Sequence, residues 1–231
     1  MKKQIEVENK TITLFCREND HTEALPIVIL NTFDEDGEAI WNKVKELSKR
    51  KCILAVISHI NWNQEMSPWY MERLYKKEED YEGKAGEYLS TLTQKIIPEI
   101  EKAIYEEWGK RVSYYTLAGY SLAGLFALYS LYQTDLFQRI VSCSGSLWYP
   151  NFIEYTKINQ LKAYPDKIYL SLGNKESKTK NELMATVEKD TKYLAEFFKS
   201  KGIQTIYEEN EGNHFQEVTA RIAKGICWII E

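Results

Sequence analysis

A chain of 231 residues, 44% of them hydrophobic and 13% aromatic, can bury a large core, which excludes an intrinsically disordered protein. The formal net charge of −4 at pH 7 argues against binding to nucleic acid or to an anionic membrane, because both require a basic surface. No run of about 18 apolar residues occurs, and no apolar stretch follows the two lysines near the start. We therefore expect a cytoplasmic protein without a membrane span or signal peptide.

The alternation of short β-rich runs with helical ones predicts an α/β fold. Residues 4–16 read as an antiparallel pair of strands with a turn at Asn9 and Lys10. Further strands are predicted at 25–33, 51–58, 113–120, 139–145, 167–173 and 203–209, and helices at 38–50, 85–107 (with a kink or break at Pro98), from 121 onward, 151–160, 181–201 and 216–230. This order predicts a mostly parallel central sheet with helices on both faces. No repeat or linker divides the sequence, so we expect a single domain over residues 1–231.

Residues 59–83 form a long stretch without a regular pattern between a predicted strand and a predicted helix. The stretch is rich in aromatic residues, among them Trp62, Trp69 and Tyr70. Because loops of this length are uncommon in compact domains and are often functional, we expect it to lie near a binding site.

The stretch "TLAGYSLAGLFALY" (116–129) places Ser121 where a predicted strand turns into a helix. In such a nucleophile elbow the serine adopts a strained backbone conformation, so the residues two positions before and after it must be small. Gly119 and Ala123 meet this requirement, and Gly124 allows the helix to approach a neighbouring strand. Ser121 is therefore the candidate nucleophile.

The other members of a catalytic triad are sought in the chain order serine, acid, histidine. Of the three histidines, only His214 follows Ser121, in a loop between the last predicted strand and helix. Glu176 follows the preceding strand, whereas Asp190 lies within a predicted helix and is a poorer candidate. In isolation, His214 also fits a surface turn and Glu176 a solvated lysine-rich turn.

These residues resemble the esterase D-like branch of the α/β-hydrolase superfamily, which includes siderophore esterases. The resemblance rests on "LAGYSLAGLFALY", "SCSGSLWYPN", "LSLGNKE" and "EGNHF" and spans most of the chain. It implies an α/β-hydrolase fold and maps Ser121, Glu176 and His214 onto the triad. Two features depart from the pattern: Ala123 stands at a position that is more often glycine, and the 59–83 loop holds few of the basic residues with which catechol-siderophore enzymes bind their anionic substrates.

The leading interpretation is a serine hydrolase that cleaves carboxylic esters, or thioesters, of small molecules through an acyl-enzyme on Ser121. The backbone N–H of Leu122 would form half of the oxyanion hole, and Thr32 or Phe33 the other half. No cofactor is needed, and neither a metal-binding motif nor a nucleotide-binding motif occurs. Two alternatives stay open: an acyltransferase on the same fold, and a binding protein that has kept only the fold.

The connection from Ser146 to Asp166 is too short for a separate cap domain. The walls of the substrate site are therefore expected from Trp148 and Tyr149 in this connection and from Trp62, Trp69 and Tyr70 in the 59–83 loop. These aromatic residues could instead pack on the core. The interpretation predicts an open, aromatic-lined cleft for small or aromatic acyl esters, while the oligomeric state stays open.

The four cysteines, Cys16, Cys52, Cys143 and Cys227, lie far apart in apolar stretches. This spacing is typical of free buried thiols and offers no paired ligands for zinc.

Overall fold

A computed structural model describes residues 1–18, 22–33, 37–162 and 164–231. Its strands are β1 (Lys2–Val7), β2 (Lys10–Phe15), β3 (Ala24–Asn31), β4 (Ile53–Ser58), β5 (Tyr70–Met71), β6 (Tyr81–Glu82), β7 (Arg111–Tyr120), β8 (Phe137–Cys143), β9 (Lys167–Gly173) and β10 (Gln204–Asn210). Its helices are α1 (Glu38–Leu47), α2 (Trp62–Glu65), α3 (Ala85–Thr91), α4 (Ile97–Trp108), α5 (Leu122–Ser130), α6 (Phe152–Ile158), α7 (Val187–Ser200) and α8 (Val218–Ile229).

The described strands form one large sheet of eight strands in the order β1-β2-β4-β3-β7-β8-β9-β10. The β1–β2 and β2–β4 pairs are antiparallel, and the pairs from β4 through β10 are parallel. The predicted mostly parallel sheet is confirmed. The carboxyl ends of its parallel strands meet at one edge, where ligands of such sheets bind.

Helices cover both faces of this sheet. Along β3 the side chains alternate: Ile27 and Ile29 pack into the larger apolar cluster, which includes residues of α3, α4, α5 and α7. Val28 and Leu30 pack into the other cluster, which includes residues of α1 and α8. This period of two places the sheet between two apolar layers and explains why β3 is apolar on both faces.

The predicted helix over 85–107 contains a local irregularity, but it lies ahead of Pro98. A π-helical segment, Leu92–Ile96, joins α3 to α4, and Pro98 lies in the first turn of α4. Proline lacks the N–H of a regular helical hydrogen bond and its ring crowds the preceding turn, so the wider turn precedes it.

The helix predicted at 38–50 ends earlier, at Leu47. Ser48 adopts an extended backbone conformation, and its hydroxyl accepts a hydrogen bond from the N–H of Arg50 at 3.1 Å. The chain then reaches β4, which begins at Ile53, two residues later than predicted.

The 59–83 stretch contains the short helix α2 and a two-stranded antiparallel sheet, β5–β6. Gly83 follows this hairpin in a left-handed conformation with φ +76°, and a Cβ there would lie 2.5 Å from the Trp69 backbone. Only glycine fits so close to the neighbouring chain. Among the described residues, no helix is long and apolar enough to cross a membrane.

Candidate active site

Ser121 lies at the junction of β7 and α5 with φ 59° and ψ −125°, a conformation that non-glycine residues rarely adopt. A Cβ at Gly119 would lie 2.2 Å from the backbone carbon of Ala123, so position 119 must be glycine. A Cβ at Gly124 would lie 2.8 Å from Oγ of Ser142 on β8. The small residues thus permit the sharp turn that exposes the Ser121 hydroxyl at the sheet edge.

His214 lies in the loop between β10 and α8, next to Ser121. Its Nε2 lies 3.1 Å from Ser121 Oγ, and its Nδ1 lies 2.7 Å from Glu176 Oε2. The Tyr120 hydroxyl donates a hydrogen bond to the backbone carbonyl of His214 at 2.8 Å. The residue immediately before the serine therefore also holds the histidine loop in place.

Glu176 follows the carboxyl end of β9 and is almost completely buried. Its Oε1 accepts hydrogen bonds from the Gly173 N–H at 2.7 Å and the Ser144 hydroxyl at 2.7 Å. Burial raises the pKa of this carboxyl, but hydrogen bonds from His214, Ser144 and Gly173, together with the charge of protonated His214, outweigh it and lower the pKa overall. Ionised Glu176 can only accept, so Nδ1 of His214 donates to it and Nε2 is left to accept the Ser121 proton.

The candidate oxyanion donors lie on two segments. The Leu122 N–H, at the start of α5, makes no hydrogen bond to the described residues. The Thr32 N–H donates to the Ile57 carbonyl at 2.9 Å, and the Thr32 hydroxyl donates to the same carbonyl. Because the Thr32 amide is occupied in the sheet, Phe33 is the better of the two sequence-predicted positions for the second donor.

The open cleft around Ser121 and His214 consists of two parts. The part that we call the apolar cavity has a volume of about 290 Å³. It is lined by Asn31, Thr32, Phe33, Trp62, Tyr120, Ser121, His214, Phe215, Val218 and Ile222. The part that we call the wide cavity, about 500 Å³, reaches Trp148 and Met184 and includes Lys175 and Lys178 in its lining.

Two of the five aromatic residues predicted to bind substrate line this cleft, namely Trp62 and Trp148. Tyr149 is 2% exposed and its hydroxyl donates to the Trp69 carbonyl, while the Trp69 indole N–H donates to Pro150. Both rings therefore belong to the packing behind the wall. Tyr70 is 64% exposed on β5 and is not among the described lining residues.

The sequence model of an esterase family, described as "Putative esterase", matches residues 31–219 of the chain. This chain belongs to that family. The esterase is 28% identical over 207 residues to the uncharacterized protein YbbA of Bacillus subtilis (strain 168), a match that covers 84% of this chain and 80% of YbbA.

Solved structures share the fold of the esterase at low sequence identity. An IroE-like serine hydrolase from Shewanella oneidensis superposes with a TM-score of 0.80 at 19% identity, covering 100% of this chain and 78% of that one. The siderophore hydrolase EstA from Aspergillus nidulans gives a TM-score of 0.74 at 17% identity, covering 100% and 93%. The esterase has the α/β-hydrolase fold and is an ester hydrolase, as the sequence predicted.

Arg221 is a site residue of the esterase that the sequence analysis missed. It lies on α8, is 1% exposed, and donates from Nη1 to Glu176 Oε1 at 3.0 Å, to the Ser144 hydroxyl and to the Tyr120 hydroxyl at 3.2 Å each. Its Nη2 donates to the Glu211 carbonyl. No local signal distinguishes it, because an arginine on an amphipathic helix normally faces water.

The segment "SCSGSLWYPN" of the esterase lies beside the candidate nucleophile. Ser144 adopts a left-handed conformation with φ 46° and donates to Glu176. Ser146 Oγ lies 3.4 Å from Ser121 Oγ, and its backbone N–H donates to the Ser121 carbonyl. The strand end after β8 therefore supports both the acid and the nucleophile.

The other histidines of the esterase do not join this site among the described residues. His59 Nδ1 lies 2.9 Å from the Thr11 hydroxyl, and His21 lies outside the described residues. The four cysteines are buried and free, and burial raises the pKa of Cys52 to about 12. Within the described residues, no group of three or more histidine, cysteine or acidic side chains could hold a metal ion.

Proposed function

We propose that the esterase hydrolyses carboxylic esters of small molecules through an acyl-enzyme on Ser121, with His214 as general base and Glu176 as the acid that orients it. The observation that carries this proposal is the continuous contact from Ser121 Oγ to His214 Nε2 at 3.1 Å and from His214 Nδ1 to Glu176 Oε2 at 2.7 Å. A serine in a strained elbow, in reach of a base that a third group orients, is the arrangement needed for nucleophilic catalysis.

The proposed reaction has two halves. In the first, Ser121 Oγ bonds to the acyl carbon as its proton passes to His214 Nε2, and His214 then returns that proton to the leaving alcohol as the ester C–O bond breaks. In the second, a water attacks the acyl carbon while His214 accepts the water's proton, and His214 then returns that proton to Ser121 Oγ as the acyl C–Oγ bond breaks and the carboxylic acid leaves. Glu176 stabilises the imidazolium in both halves. The N–H groups of Leu122 and Phe33 would donate to the oxyanion.

The apolar cavity is the proposed site of the acyl group. Its described lining includes no lysine, arginine, aspartate or glutamate, and Trp62, Phe33 and Phe215 stand at its rim. The ring of Phe33 meets that of Trp62 edge to face at 5.6 Å, which fixes one wall. A cavity of about 290 Å³ at the low end of ligand-site volumes favours short aliphatic or single-ring aromatic acyl groups.

The wide cavity would then receive the alcohol part of the ester. Its lining holds Lys175 and Lys178 together with Glu78 and Glu176, and these charged groups favour an alcohol that carries polar groups. Siderophore hydrolases are among the proteins of similar fold, so a siderophore ester is one substrate to include in a test. The few basic residues of the 59–83 loop, Arg73, Lys76 and Lys77, are not among the described lining residues, which argues against an anionic catechol siderophore.

The proposal is tested by labelling with a fluorophosphonate probe, followed by peptide mapping, and by turnover of p-nitrophenyl esters of increasing acyl length. We expect a single label on Ser121, loss of label and turnover in Ser121→Ala, and highest kcat/KM for short or aromatic acyl groups. Ser146→Ala is the matched control, because it removes a hydroxyl 3.4 Å away that has no role in attack. Turnover by Ser121→Ala at the wild-type rate would refute the proposal.

The same assay with an added alcohol distinguishes hydrolysis from acyl transfer. Addition of a small alcohol as acceptor should divert only a minor share of the acyl groups if water is the natural acceptor. A predominant transfer product at low alcohol concentration would make the protein an acyltransferase that uses the same residues.

A further inference from the structure

Asn31 occupies the carboxyl end of β3, one position before the segment that leads to Phe33. It is 1% exposed and lines the apolar cavity together with Ser121 and His214. In the β3–β7 register it pairs with Gly119, two residues before Ser121. The residue therefore lines the cavity in which the ester would bind.

The two ends of the Asn31 amide differ in their partners. Oδ1 accepts a hydrogen bond from the Tyr88 hydroxyl at 2.7 Å, whereas Nδ2 is buried and has no partner among the described residues. Tyr88 is buried as well, and its neutral hydroxyl supplies the proton of this bond. This bond fixes the orientation of the amide with Oδ1 toward Tyr88 and Nδ2 away from it.

A buried amide donor without a partner is rare in folded proteins, because its desolvation is then uncompensated. The neighbouring Thr32 N–H is committed to the Ile57 carbonyl, so the backbone of this segment offers few donors to the cavity. A donor that is unpaired in the free enzyme, on a residue that lines the same cavity as Ser121, is suited to an oxygen that becomes charged only during the reaction.

We propose that Asn31 is a catalytic residue whose Nδ2–H donates a hydrogen bond to the ester carbonyl oxygen as it becomes an oxyanion, and that Tyr88 is the positioning residue that aims this amide. The inference rests on the proposed function of Ser121. When Ser121 Oγ bonds to the acyl carbon, the π electrons of the carbonyl move to its oxygen. That oxygen then accepts hydrogen bonds from Asn31 Nδ2 and from the backbone donors.

The test compares Tyr88→Phe with the double variant Asn31→Leu/Tyr88→Phe. Both lack the Tyr88 hydroxyl, so the double variant leaves no orphaned hydroxyl and differs only by the amide. We expect kcat of the double variant to be about 100- to 1000-fold below that of the wild type, as for loss of one oxyanion donor, and at least about tenfold below that of Tyr88→Phe, with KM within about threefold. A difference in kcat of less than about threefold would overturn the inference.

Tyr88→Phe alone should lower kcat by a smaller factor, because the donor remains but is no longer aimed. Asn31→Asp provides a second test, since it keeps the volume and the acceptor for Tyr88, removes the amide donor and, when ionised, adds a negative charge in the cavity where the oxyanion forms. Above neutral pH a folded Asn31→Asp enzyme should lose at least about 100-fold in kcat, and near-wild-type turnover there would overturn the inference even if the double variant did not fold.

Ser121→Ala distinguishes failure of this inference from failure of the proposed function. If Ser121→Ala is inactive while the Asn31 variants keep full kcat, only the role of Asn31 is wrong. If Ser121→Ala keeps turnover, the proposed function itself is wrong, and so is the oxyanion role that depends on it.

Discussion

At the scale of single residues, Glu176 is held by more groups than orientation of an imidazole requires. Arg221, Ser144 and the Gly173 N–H all donate to its Oε1, while Oε2 faces His214. The Glu176–Arg221 pair is almost fully removed from water, with side chains 4% and 1% exposed. Such a pair contributes little net stability compared with apolar residues, but removal of one partner leaves a buried charge uncompensated.

Arg221→Met should therefore lower the free energy of unfolding by about 3–5 kcal/mol, because it leaves the Glu176 carboxylate buried with fewer donors. Urea denaturation at pH 7 measures this change. Lys157→Met is the matched control, since Lys157 pairs with Glu154 on an exposed helix surface and should change nothing measurable. Equal effects of the two substitutions would contradict the account.

The depressed pKa of Glu176 predicts how its contribution to stability depends on pH. A carboxyl with a lowered pKa in the folded state stabilises the fold above its unfolded pKa, about 4.3, and loses this contribution as the pH falls through the folded value. The difference in thermal midpoint between wild type and Glu176→Gln should thus be constant above about pH 5 and should shrink as the pH falls below about 4.3. A difference that stays unchanged throughout the acid limb of the stability curve would show that the charge of Glu176 does not stabilise the fold.

At the scale of elements, the β7–α5 turn depends on close backbone packing. A Cβ at Gly119 would meet the carbon, oxygen and Cβ of Ala123 at 2.2, 2.3 and 2.6 Å, and two of these are backbone atoms that cannot rotate away. The strained conformation of Ser121 thus exists only because β7 and α5 approach each other at a glycine. The backbone packing between β7 and α5 therefore also fixes the position of Ser121.

Gly119→Ala should destabilise the protein by at least about 1–3 kcal/mol and should lower kcat strongly, because the turn must open and displace Ser121. Gly86→Ala is the matched control: it lies within α3, and its Cβ would be 3.5 Å from the Tyr129 hydroxyl. That substitution should be neutral or should stabilise by about 0.5–1 kcal/mol. Thermal unfolding measures the stability of both variants, and ester hydrolysis measures their kcat. A fully active Gly119→Ala enzyme would contradict the packing argument.

The strand ends and the candidate triad could be predicted from sequence because both follow from short-range pattern and chain order. Ser121, Glu176 and His214 each follow a β-rich run, and the carboxyl ends of parallel strands must meet at one edge. Arg221 and Asn31 could not be found this way. Their roles depend on contacts with Glu176 and Tyr88, which lie 45 and 57 residues away in the chain.

The roles of the aromatic residues could not be assigned from the sequence either. Trp69 and Trp148 both lie in irregular chain near strand ends, and the sequence does not distinguish the ring that faces the cleft from the ring that packs behind it. The distinction comes from tertiary contacts: Trp69 is enclosed by Tyr149, Phe152 and Tyr155.

At the scale of the whole molecule, the cleft divides at Ser121 into the apolar cavity under α8 and the wide cavity toward α7. The proposed placement of the acyl group in the apolar cavity depends on this division. Val218 lies at the start of α8, is only partly buried and lines the apolar cavity. It is therefore a position at which cavity volume can be changed without disruption of the core.

Val218→Trp should narrow the apolar cavity and shift acyl preference toward acetyl esters. We expect kcat/KM for a hexanoyl or benzoyl ester to fall at least about tenfold relative to that for acetyl, since a few methylene contacts are worth about 1–3 kcal/mol. Thr179→Trp, in the lining of the wide cavity, is the control and should leave acyl preference unchanged while it alters the preference for the alcohol. The reverse pattern would place the acyl group in the wide cavity.

The central claim, an acyl-enzyme on Ser121, is tested most directly by rapid quench of the enzyme during turnover of a p-nitrophenyl ester, with intact-mass measurement and peptide mapping. We expect a mass increase equal to one acyl group, located on Ser121, formed with a burst of p-nitrophenol and absent from Ser121→Ala. Steady turnover with an acyl adduct on another residue, or turnover that persists in Ser121→Ala, would contradict the account.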